Sequence, residues 1–161
     1  MGGSEIIKVD IAVSSGIPHE PLSRQRILVV DDNNFLRQLC IDVLVKAGYE
    51  VLAARDGAAG WEELQFNQCD LIITDNQMPK MTGIQLLERM RSARISLPVI
   101  MATGCLPTQV FARQPWLRPD ATLERPFSDD DLLETVKRVL SRDENYNTRI
   151  QARFQHLPEE L

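Results

Sequence analysis

The chain has 161 residues and a formal net charge of −5, from 18 Lys plus Arg against 23 Asp plus Glu. With 43% hydrophobic and 25% charged residues it has the composition of a folded domain, and its length suits one domain with tails. The acidic balance and the lack of a Lys/Arg-rich run argue against nucleic acid or an anionic membrane surface as the main partner, because both attract clustered positive charge.

No apolar stretch approaches the roughly 20 residues of a membrane helix, and no basic segment followed by an apolar run opens the chain, so a cytoplasmic address is expected. Cys40, Cys69 and Cys105 are widely spaced with no C-x-x-C pair, which predicts reduced thiols, with Cys40 and Cys69 as core filler.

Taken in chain order, residues 1–25 read as a tail or linker punctuated by Gly2, Gly3, Ser14, Ser15, Gly16, Pro18 and Pro21. Within it Ile7, Val9, Ile11 and Val13 alternate with Lys8, Asp10 and Ala12. That is either an arm able to pair with a sheet edge or a leader whose alternation is chance. From Arg26 onward short apolar runs alternate with longer segments of helical spacing. Strands are predicted at 26–30, 50–54, 70–74, 98–103 and 121–124, and helices at 34–47, 57–66, 83–93, 107–114 and 129–142. Runs such as Ile27-Leu28-Val29-Val30 show no alternation, the mark of strands buried on both faces of a parallel sheet. Phe35, Leu39 and Val43 follow the helical period until Gly48, and Ser128 with Asp131 resembles a capping box at the last helix. Right-handed βαβ units over 26–142 therefore predict an α/β, doubly wound, five-stranded parallel sheet with helices on both faces.

In an open α/β sheet the ligand site lies beyond the carboxyl ends of the strands. Asp31 and Asp32 follow the first strand, Asp75 the third; Thr103 ends the fourth and the fifth runs into Arg125. Clustered carboxylates repel one another and favour a hard cation such as Mg²⁺, while a hydroxyl and a guanidinium beside them can hold a phosphoryl group.

Asp31-Asp32, Asp75 within Thr74-Asp75-Asn76-Gln77-Met78-Pro79, Gly83, Thr103-Gly104 and Arg125-Pro126-Phe127 together resemble the receiver domain of two-component response regulators. The resemblance implies a flavodoxin-like sheet of order 2-1-3-4-5. It also implies that Asp75 is the phosphoacceptor, that Asp31, Asp32, Asp75 and the backbone carbonyl of Gln77 serve Mg²⁺, and that Thr103 moves onto the phosphoryl group. The phosphodonor it implies is a histidine kinase or a histidine phosphotransfer protein, since His19 and His156 lie in no phosphotransfer-like helix. Beyond phosphotransfer and its own dephosphorylation, no enzymatic turnover is expected.

Two departures bear on signalling. The family's lysine before Pro-Phe is replaced by Arg125, whose planar fork is not interchangeable with an ammonium, and its aromatic switch position holds Thr122. Gln77 and Cys105 occupy positions that the family uses to tune acyl-phosphate lifetime. In residues 143–161, Tyr146, Ile150, Phe154 and Leu157 form one helical stripe, which must pack on its own domain, pair with a second copy as a homodimer, or meet a partner; a frayed tail is the other expectation. No DNA-binding output follows the domain, so an unidentified downstream protein is the expected target. The rival readings are a degenerate receiver acting as a phosphate-independent interaction module and an aspartyl-nucleophile phosphohydrolase. The second is disfavoured because Asp75-Asn76-Gln77 lacks an Asp-x-Asp pair.

Overall fold

The apolar runs need both faces covered, and the fold supplies that cover. A computed structural model describes residues 24–154; the alternating segment 7–13, His19, His156 and Leu157 lie outside the described residues. Five parallel strands, β1 (Arg26–Val30), β2 (Glu50–Ala54), β3 (Leu71–Thr74), β4 (Val99–Thr103) and β5 (Ala121–Glu124), lie in the order β2-β1-β3-β4-β5. Between and after them run α1 (Asn34–Lys46), α2 (Gly57–Phe66), α3 (Gly83–Ser92), α4 (Thr108–Arg113), a 3₁₀ turn η1 (Pro115–Leu117) and α5 (Asp129–Phe154).

Successive residues of each strand feed opposite sides. Ile27, Val29, Leu71, Ile73, Ile100 and Leu123 pack with Cys40 and Leu44 of α1 and Leu132, Val136 and Val139 of α5. Leu28, Val30, Ile72 and Val99 pack with Leu86, Leu87 and Met90 of α3, against which Trp61 and Leu64 of α2 also lean. Burial on both sides explains why the strand sequences carry no alternation.

Helix ends follow their capping chemistry. Asn33 caps α1 through its side-chain oxygen, Asp56 caps α2, and Thr82 with Gln85 forms a reciprocal box at α3. Ser128 and Asp131 make the anticipated box at α5: the Asp131 carboxylate accepts from the Ser128 N–H at 2.9 Å, and the Asp131 N–H donates to the Ser128 hydroxyl at 3.1 Å. After α1 the Gly48 N–H donates to Val45 and the Tyr49 N–H to Leu44, with Gly48 left-handed at φ 97°.

Two segments differ from expectation. The predicted fourth helix shortens to α4 and hands over to η1 at Pro115, which can open a helical turn but cannot continue one. The last helix does not stop at 142 but continues to Phe154. No Gly or Pro interrupts 129–154, and the Ser141 hydroxyl, the Asn145 amide and the Thr148 hydroxyl each donate to the carbonyl four residues back, so polar residues that signal a loop stay compatible with a helix. Along this extension Gln25 Nε2 donates to Glu144 Oε1 at 2.9 Å, while Tyr146 is mostly exposed.

Candidate functional site

The sheet delivers its chemistry one residue past each strand. The Asp31 N–H still donates to Ala54 O (3.1 Å), the Asp75 N–H to Val30 O (3.0 Å) and the Arg125 N–H to Thr103 O (3.0 Å), so the ladder fixes the backbone of each functional residue. Parallel strands share a direction, and all these ends meet at one edge. Oxygens of Asp31, Asp32 and Asp75 lie within 4.8 Å of one another, Asp31 and Asp75 buried and Asp32 exposed. Neither Asp31 nor Asp32 is consumed as a helix cap, because Asn33 takes that role; Asp31 Oδ1 accepts instead from the Asn33 N–H at 2.9 Å.

Arg125 enters this acidic cluster. Its Nη2 pairs with Asp31 Oδ2, and its Nη1 stands 3.8 Å from Asp75 Oδ2, with the side chain 19% exposed. A planar guanidinium can bridge two carboxylates in this way. Thr103 is buried at the end of β4; its hydroxyl accepts from the Cys105 N–H at 3.4 Å and donates to the Cys105 carbonyl at 3.5 Å, both long contacts that a stronger acceptor can displace. Cys105, Gln77 and Thr122 are exposed, the first two in the loops that frame the edge and Thr122 on β5.

The loop after Asp75 is held by two residues of the motif, Asn76 and Gly83. Asn76 accepts the Gly83 N–H through its carbonyl and the Ile84 N–H through its side chain. Gly83 itself has no room for a side chain: a Cβ there would run into the Asp75 carbonyl oxygen. Arg37 of α1 donates to the Asp31 carbonyl at 2.6 Å. Asp56, buried two residues after β2, caps α2 and faces Lys80 Nζ at 3.7 Å; its position directly before a helical run marks it as a cap. Of the cysteines, burial pushes the Cys40 and Cys69 thiols up, and Cys105 is exposed.

The profile of the response regulator receiver domain matches residues 27–137, which include every residue of this edge. The chain belongs to the response regulator receiver family. It is similar to the response regulator receiver protein CpdR of Brucella abortus (strain 2308), 32% identical over 116 residues that make up 72% of this chain and 97% of the relative. It is 34% identical over 110 residues to the sensor histidine kinase RcsC of Salmonella typhi, covering 68% of this chain but 12% of that kinase. Among solved structures, a CheY-like receiver domain protein from Methanospirillum hungatei JF-1 superposes with a TM-score of 0.72 at 30% identity, covering 77% of this chain and 99% of the other. Receiver domains thus stand nearly alone in some relatives and as a small part of a kinase in others. The donor set here suits the Mg²⁺ that such domains bind: all hard oxygens, with the exposed Asp32 leaving room for water. Among the described residues no helix is long and apolar enough to cross a membrane.

Proposed function

We propose that this receiver accepts a phosphoryl group on Asp75 from a phosphohistidine of a partner histidine kinase or phosphotransfer protein, and signals through protein contacts. The convergence of Asp31, Asp32 and Asp75 with Arg125 and Thr103 at one strand edge carries this reading. A carboxylate oxygen of Asp75 attacks phosphorus as the nitrogen–phosphorus bond of the donor breaks, leaving an acyl phosphate on Asp75 and the freed imidazole on the partner. Asp31, Asp32, Asp75 and the Gln77 carbonyl would hold Mg²⁺, which would supply the positive charge that lets one anion approach another. Arg125, already beside Asp75, stabilises the added phosphoryl oxygens, and the loosely held Thr103 hydroxyl donates to one of them. Thr122 cannot act as an aromatic switch, so movement of Thr103 is read through other contacts. Gln77 and Cys105 flank the acyl phosphate and set its lifetime. An apolar groove between α1 and α5, lined by Leu36, Leu39, Cys40, Phe127 and Leu132, shares Arg125 with the site and offers the donor protein a seat.

Intact mass after incubation with Mg²⁺ and acetyl phosphate tests the proposal: one phosphoryl adduct on the native chain and none on Asp75→Asn. A chromogenic phosphate ester should not be turned over. The pairing of Arg125 with Asp31 favours one second reading, a degenerate receiver in which the guanidinium is the permanent counter-ion of the cluster. Absence of an adduct with both acetyl phosphate and a phosphorylated kinase would select it.

A further inference from the structure

Charge is unevenly spread along the chain. Over residues 76–119 six basic residues, Lys80, Arg89, Arg91, Arg94, Arg113 and Arg118, stand against the single acidic Glu88, while the remainder holds 12 basic and 22 acidic residues. Five of them stand at or just beyond the C-terminal ends of α3, α4 and η1. Arg89 and Arg91 lie in the last turn of α3, Arg94 follows it, Arg113 ends α4 and Arg118 follows η1. Arg91 Nε donates to the Trp116 carbonyl at 3.4 Å, tying α3 to η1. Arg89, Arg94, Arg113 and Arg118 are exposed, and among the described residues none of the five arginines has a carboxylate within 4.0 Å. Arg89 lies over the Trp61 ring of α2 at 4.8 Å, and Trp116, whose carbonyl Arg91 holds, is 63% exposed. An exposed tryptophan beside arginines that lack carboxylate partners has the composition of a binding hot spot.

Arg94 adds an independent sign. The turn that ends α3 repeats the one that ends α1: the Arg94 N–H donates to Arg91 and the Ile95 N–H to Met90, as Gly48 and Tyr49 do after α1. Where α1 uses Gly48, α3 holds Arg94 at φ 56°, a conformation that disfavours a side chain. Strain of this kind persists where the side chain has another use.

We propose that the α3–η1 flank docks an acidic segment of a partner protein, its carboxylates meeting Arg91, Arg94 and Arg118 and an apolar side chain lying on Trp116. An exposed apolar ring beside the charges favours a partner with an apolar side chain, and the acidic remainder of the chain repels a long polyanion, so a protein segment fits better than nucleic acid. This surface stands apart from Asp75 and does not depend on its phosphorylation.

The test is an NMR titration of the ¹⁵N-labelled full chain with three probes: a synthetic Glu/Asp-rich peptide with a central Phe, the same peptide with Gln and Asn for the acids, and a short DNA duplex. Saturable shifts confined to the end of α3 and η1, produced by the acidic peptide and weakened by salt, are expected. The Arg94→Glu/Arg118→Glu double variant should bind about tenfold or more weakly with an unchanged melting temperature. Should that variant unfold, Trp116→Ala, whose side chain faces solvent, is expected to weaken binding in the same way. Equal binding of the neutral peptide, tighter binding of the duplex, shifts elsewhere, or no saturation would each overturn the proposal.

Discussion

The carboxyl edge of the sheet and the α3–η1 flank both rely on arginine, and use it in opposite ways. At the edge Arg125 is mostly buried and paired with Asp31 beside Asp75, on a backbone fixed by strand ladders. On the flank the arginines stand at helix ends, without carboxylate partners among the described residues, with Arg91 bound to the carbonyl of an exposed tryptophan. The same guanidinium is a built-in counter-ion where its surroundings are buried and anionic, and an open contact group where they are exposed and lack carboxylates. One region is preorganised for chemistry and the other is suited to recognition.

The sharpest way to break this comparison is to disturb the edge through its backbone. Gly83→Ala forces a Cβ onto the Asp75 carbonyl and should cost about 2–3 kcal/mol in denaturant unfolding, and with it the phosphoryl adduct. The same change at Gly104, which has open space around it, should leave stability near native. Arg125→Lys comes next. An ammonium cannot bridge Asp31 and Asp75 as a planar fork does, so calorimetric titration is expected to show Mg²⁺ binding several-fold more tightly than to the native chain.

On the flank the sign reverses. Arg94→Gly relieves a left-handed residue and should raise stability by about 1 kcal/mol while weakening acidic-peptide binding, a gain in fold at the expense of contact. The smallest effect concerns α5. Backbone and side-chain hydrogen bonds with Ser128 hold the Asp131 carboxyl below the usual carboxylate range. A depressed carboxylate stabilises fully above its unfolded pKa and loses that contribution as pH falls through the lowered one. Melting curves of the native chain and Asp131→Asn should therefore differ slightly near neutrality and converge in acid.

The two regions also differed in how far the sequence revealed them. Strand ends followed by Asp31, Asp75 and Arg125 were readable because a doubly buried strand leaves an unbroken apolar run, and a residue one place beyond it must reach the edge. β3 and β4 begin one residue later than the runs suggested. The Asp70 carboxylate turns to accept the Arg26 N–H at 2.7 Å, and Pro98 has no N–H to give a ladder. The contact between Arg125 and Asp31 was not readable, since side-chain reach across 94 residues depends on the packed fold. The flank was equally hidden: its arginines are separated in sequence by β4, and no local run marks them. The length of α5 escaped because Ser, Asn and Asp signal turns in isolation, yet here three polar side chains bond back along the helix.

Borohydride reduction of the phosphorylated chain, followed by peptide mapping, tests the central claim most directly, because an aspartyl phosphate is reduced to homoserine where it stands. Homoserine at position 75 alone is the expected result, and it should vanish in Asp75→Asn. Homoserine at Asp31, Asp32 or any other residue, or a phosphoryl group that resists reduction, would contradict the assignment of Asp75 as the acceptor.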